Sequence, residues 1–157
     1  MPTSRSAILI AATYLALVPD LPRAAVAVPT DPCSLLTQAE VSAALGVSVG
    51  AGKATGKICR WAEPGGRAGV SPALVLTLQD AKAFDFAKSP SNSATLVKTP
   101  APGIGDDAVF NTVGTVTATL TVKKSDIYFE LHAYGFPVDR TRTIEATLAK
   151  EVVATLK

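Results

Sequence analysis

Twenty residues near the C-terminal end constrain the fold of this chain more than any other stretch. In TVTATLTVKK, Val116, Ala118, Leu120 and Val122 alternate strictly with Thr115, Thr117, Thr119 and Thr121. In the following DIYFELHAYG, Ile127, Phe129, Leu131 and Ala133 alternate with Tyr128, Glu130, His132 and Tyr134. A strand sends successive side chains to opposite faces, so each run has one apolar and one more polar face. Lys123 to Asp126 is a short polar turn between them. The pair is therefore a β-hairpin with one buried and one wetter face, the pattern of an antiparallel sheet.

The rest of the chain supplies companions for that hairpin. Thr37-Gln38-Ala39-Glu40 fits a capping box, with Thr37 as N-cap. Val41, Ala44 and Leu45 then share a helical face and Gly46 stops the helix, which predicts a helix over 38–45. Pro32 to Leu36 reads as a turn that sets Cys33 just before it. Residues 47–54 read as a weak strand and 58–63 as a firmer one, with Cys59, Trp61 and Glu63 on one side of it. Residues 64–69 are a loop, and 73–79 form a strand with Leu74, Leu76 and Leu78 on one face. Asp80 can cap a short helix over 81–88, with Phe84 turned to the core. Residues 95–99 form a brief strand, the Pro- and Gly-rich segment after it an irregular passage, and Ala108 to Asn111 begin a further strand. Ile144, Leu148, Val152 and Leu156, with Val153 beside them, mark a C-terminal helix whose start Asp139 can cap. Consecutive strands and a short hairpin argue against parallel winding. The expected fold class is α+β: a single twisted antiparallel β-sheet with the N-terminal short helix and the C-terminal helix packed on one face.

The first residues bear on destination. Arg5 precedes an uncharged apolar run over 6–18, and Ala25-Val26-Ala27 offers an A-x-A site. That is the layout of a secretory signal peptide spanning 1–27, and the run is short for a membrane span of about twenty residues. Residues 28–157 are then one α+β domain, with 13 Lys and Arg against 12 Asp and Glu and no second long apolar run. Such a balance offers no electrostatic reason to expect nucleic acid or an anionic membrane surface as a partner, and no membrane span is expected in the mature chain.

The chain has two cysteines, Cys33 and Cys59. Lipid attachment at Cys33 would need a lipobox, but Pro29-Thr30-Asp31-Pro32 precede it. A zinc site needs four clustered ligands, and His132 is the only histidine. A Cys–His catalytic pair would leave a reactive thiol beside a second cysteine in an oxidising compartment. A Cys33–Cys59 disulfide is the reading that suits an exported chain. Trp61, two residues along the same strand, then packs its indole on the bridge.

Asp31-Pro32-Cys33-Ser34-Leu35-Leu36-Thr37, then Glu40-Val41 and Ala44-Leu45-Gly46, resemble the opening of a family of small actinobacterial secreted proteins and lipoproteins with a domain of unknown function. Cys59-Arg60-Trp61 resembles its C-x-W marker, and Gly103-Ile104-Gly105-Asp106-Asp107-Ala108 its G-[IL]-G-D-x-A marker. The resemblance implies an extracytoplasmic α+β domain with the two cysteines paired. Many members are lipoproteins; this chain lacks the lipobox, so anchoring does not carry over.

Candidates for chemistry are few. Tyr128, Glu130, His132 and Tyr134 share one strand face, a candidate binding surface or pH-sensitive contact. The threonine array from Thr115 to Thr121 suits either a flat binding face or simple solvent exposure. Asp106-Asp107 reads as turn chemistry, since adjacent side chains in an extended chain point apart. Ser34 and Ser71 lack a G-x-S-x-G context, and GKATGK (52–57) lacks the ending of a phosphate-binding loop. No catalytic set, metal site or cofactor is expected. The function expected is a secreted, non-enzymatic binding or envelope-associated domain, its partner a cell-envelope component or another protein. Two alternatives stand beside it: an interaction or inhibitor module using the 128–134 strand face, and a hydrolase-like enzyme using His132 and Glu130.

Overall fold

The hairpin forms as its alternation requires, and the sheet extends from it on both sides. The computed structural model describes residues 29–91 and 93–156. The expected signal peptide, 1–27, lies outside the described residues. Seven strands, β1 (Lys53–Thr55), β2 (Ile58–Ala62), β3 (Ala73–Asp80), β4 (Leu96–Pro100), β5 (Asp107–Val113), β6 (Thr117–Lys124) and β7 (Ile127–Tyr134), make one antiparallel sheet. Their order is β1-β2-β3-β7-β6-β5-β4, so two meanders meet where β3 pairs with β7. Cys59, Leu76, Leu131, Leu120 and Phe110 lie opposite one another in a row across five strands, which defines the core face.

Two helices cover that face, as expected. Helix α1 (Gln38–Leu45) starts at the capping box: Glu40 N–H donates to Thr37 Oγ1 at 3.2 Å, and Thr37 N–H donates to Glu40 Oε2 at 2.7 Å. Gly46 ends it at φ 71°, where a Cβ would be strained. Val41 and Leu45 are buried. Helix α3 (Val138–Thr155) lays Ile144, Leu148, Ala149 and Val152 on β6 and β7. Its Arg140 donates to Leu45 O at 2.9 Å, satisfying a free carbonyl at the end of α1 and tying the helices together. The Cys33–Cys59 disulfide is present, with Cα atoms 5.1 Å apart, and joins the short 3-10 turn before α1 to β2. Trp61 is buried on the same face as Cys59.

Four expectations need correction. Residues 47–52 are not strand; Val49 N–H is taken by Ser42 Oγ and its carbonyl by Gln38 Nε2, so α1 side chains hold the segment. Val116 is not on the buried face: Val116 N–H closes a turn onto Val113 O, β6 begins one residue later, and Val116 is 80% exposed. Asp139 does not cap α3; the N-cap is Pro137 without a side-chain bond, and Asp139 lies in the first turn. Phe84 is buried, but on the opposite face of the sheet from the core cluster.

Candidate functional site

That last correction shapes the site. After β3, Asp80 Oδ1 accepts the Lys82 N–H at 2.9 Å and starts a 3-10 turn, Ala81–Ala83, that runs into helix α2 (Phe84–Lys88). This segment crosses the second face of the sheet. Phe84 meets the Tyr128 ring edge-on at 5.8 Å between centroids. Two lysines fasten it there. Lys88 pairs with Asp107 at 2.5 Å, and Lys98 on β4 donates to the carbonyls of Ala87 and Ser89, where α2 leaves acceptors unused.

Between this segment and the sheet runs an open groove of about 640 Å³. Its sheet side carries Gln79, Lys98, Asn111, Thr119, Tyr128 and Glu130; Phe86, 86% exposed, stands on the other side. Asn111 Nδ2 donates to Thr121 Oγ1 at 2.9 Å, and Asn111 Oδ1, itself shielded from bulk water, has no hydrogen-bond donor among the described residues.

The expected binding face is one face, but it divides into two pairs. Tyr128 and Glu130 line the groove, and the Tyr128 hydroxyl donates to Glu130 Oε1. Tyr128, expected on a candidate binding face, is only 1% exposed, with Phe84 edge-on against its ring. That burial and the neighbouring Glu130 carboxylate push the phenol well above its ordinary range. His132 and Tyr134 lie outside the groove lining, stacked at 4.0 Å with 23° between their planes. His132 Nε2 hydrogen-bonds Thr117 Oγ1 at 2.7 Å. Burial holds the imidazole pKa below its usual value, against the opposing pull of Glu130. The threonine array is correspondingly uneven: Thr121 is fully buried, Thr117 and Thr119 half-buried, and Thr115 exposed in the turn.

Asp106 and Asp107 engage different partners: Asp107 pairs with Lys88, and Asp106, in the bend before β5, turns to the β6–β7 turn. Asp106 Oδ2 accepts Ser125 N–H at 2.6 Å, supporting the hairpin turn at the one non-glycine residue with positive φ among those described. Its Oδ1 meets Lys124 Nζ at 2.9 Å. Among the described residues, no group of three or more His, Cys, Asp or Glu side chains could hold a metal ion.

Sequence reasoning missed Lys98 and Asn111, and also Glu145. Glu145 on α3 is fully buried beneath the sheet. The β6–β7 register stops at Leu120–Leu131, and Ala133 N–H, which a continuing ladder would give to β6, donates instead to Glu145 Oε1 at 3.0 Å. Oε2 has no partner among the described residues. Burial pushes this carboxyl up to about 9, against the Ala133 and Leu120 N–H groups and the Arg142 charge. A signal was available: Glu145 falls between Thr141 and Ala149 on the helix row beside the apolar stripe.

Searches against protein-family models, curated proteins and solved structures return no match.

Proposed function

We propose that this chain is an exported, non-enzymatic binding domain whose ligand sits in the groove between the α2 segment and the second face of the sheet. One observation carries the reading. The groove holds an acceptor without a donor, Asn111 Oδ1, beside the Tyr128–Glu130 pair and opposite the exposed ring of Phe86. A shielded acceptor without a donor costs free energy until something donates to it. An apolar wall with a few convergent polar groups is the usual form of a small-molecule or short-segment site. The disulfide suits the extracytoplasmic family that the D-P-C, C-x-W and G-I-G-D markers resemble, and no helix among the described residues is long and apolar enough to cross a membrane. A component of the cell envelope, or a protein met there, is the partner this reading favours.

An enzyme working through His132 and Glu130 draws less support. His132 faces Thr117 and Tyr134, outside the groove that Glu130 lines. The test is native mass spectrometry of the chain recovered from its own culture medium. A stoichiometric non-covalent adduct that is lost in Asn111→Leu supports the proposal. An adduct-free spectrum, or an adduct retained in that variant, contradicts it.

A further inference from the structure

A second concave site, of about 400 Å³, lies at the opposite end of the sheet, lined among others by Gly50, Gly52, Lys53, Arg60, Ala62 and Glu63. The two-residue turn at Gly56-Lys57 sets the β1–β2 register, and that register puts Lys53 directly opposite Arg60. Cross-strand partners project from the same face, about 5 Å apart at Cα. Like charges in that arrangement repel and weaken the pairing of the two strands. Among the described residues no ion pair offsets the repulsion. Neither side chain makes an ion pair or hydrogen bond among the described residues, and Glu63, on the rim, pairs with neither.

The walls of this site are held in place. Gly52 lies so close to the bridge and the indole that a Cβ there would meet Cys59 Sγ and Trp61 Nε1 at 2.8 Å. Gly50 N–H donates to Ala62 O at 2.9 Å, which fixes the loop to the end of β2. The disulfide holds Cys59 next to Arg60 in β2. The N–H groups of Gly50 and Glu63 are spent within the fold, and the ammonium and the guanidinium are the site's cationic donors.

We propose that Lys53 and Arg60 form an oxyanion site that takes a phosphate group, either free or carried as an exposed headgroup. Two adjacent cations match the charge of a phosphate dianion. The planar guanidinium can take two of its oxygens while the ammonium takes a third as a point charge. The site does not depend on the groove ligand, and either can fail alone.

The test is an amide NMR titration with sodium phosphate against sodium chloride at matched ionic strength. Phosphate should shift residues 50–53 and 60–65 saturably, and chloride should not. The Lys53→Gln/Arg60→Gln double variant should bind about tenfold more weakly or worse, since both charge-assisted contacts are gone. Its thermal midpoint should hold or rise because the repulsion is relieved, which separates lost binding from lost fold. Arg60→Lys should fall between, keeping the charge but not the fork. A second arm uses phosphatidylcholine vesicles containing phosphatidic acid. Sedimentation that needs both Lys53 and Arg60 identifies a headgroup as ligand, whereas saturable phosphate binding without sedimentation identifies a small soluble phosphate. Shifts no different from those with chloride, or unchanged in the double variant, overturn the proposal.

Discussion

Replacing Glu145 by Gln should make the protein more stable at neutral pH, although the carboxyl is buried and hydrogen-bonded. In the unfolded chain this group ionises near the ordinary value of 4.5, and in the fold burial holds it protonated up to about 9. Between those two values the unfolded chain releases the proton and the folded chain keeps it. The stabilising contribution of the protonated carboxyl is thus fully present below pH 4.5, declines across the interval and is gone above pH 9. Each pH unit costs about 1.4 kcal/mol, so the native state gives up about 3 kcal/mol at pH 7 through this one group. Gln is neutral at every pH and can still accept Ala133 N–H through Oε1. Glu145→Gln should therefore gain about 3 kcal/mol at pH 7 and about nothing at pH 4. The assay is urea unfolding followed by Trp61, whose buried indole reports the native state, at pH values from 4 to 9. If variant and parent run parallel across that range, the carboxyl is not held protonated and the reasoning fails.

Three further outcomes follow from the same geometry. Reducing the Cys33–Cys59 bridge, or replacing both residues with Ser, should cost about 2–5 kcal/mol, read as a lower urea midpoint; an unchanged midpoint would show that the 3-10 turn and β2 hold together without it. Gly52→Ala should cost about 1–3 kcal/mol, because its Cβ would lie 2.8 Å from both Cys59 Sγ and Trp61 Nε1; a neutral effect on the thermal midpoint would refute that close approach. His132→Asn should flatten stability on the acid side: the depressed imidazole contributes stability above its ordinary value of 6.5 that is lost as pH falls through the folded value. An imidazole proton resonance titrating at or above 6.5 in the parent protein would contradict that sign.

Elements whose signal is local and periodic were legible from residues alone. The alternation of 118–122 and 127–133 identified the hairpin and its core face, though not that Thr121 and Tyr128 on the other face are buried too, and the Thr37–Glu40 box with Gly46 bounded α1. The disulfide followed from the cysteine count together with the compartment that residues 1–27 led us to expect. What stayed hidden depends on packing between distant segments. Residues 81–88 read as a short helix, but nothing in them says which side of the sheet they cross; that is decided by where β4 returns and by the lysines at 88 and 98. Tyr128 was placed on a candidate binding face for that reason, since its burial involves Phe84 from the crossing segment. The facing of Lys53 and Arg60 required a strand register that the two-residue turn at Gly56-Lys57 sets. Glu145 sat in plain view on a helix, but its depth depends on β6 and β7 parting beyond Leu120–Leu131.

The proposed function places the ligand on the second face of the sheet, under α2. The direct test is amide chemical-shift mapping of the protein as purified against the protein stripped of any molecule that co-purifies with it. The account predicts shifts concentrated at Gln79, Lys98, Asn111, Thr119 and Glu130 and in residues 83–91, with little change in α1 and α3. A footprint confined to the α1–α3 side of the sheet, or none at all, would contradict it.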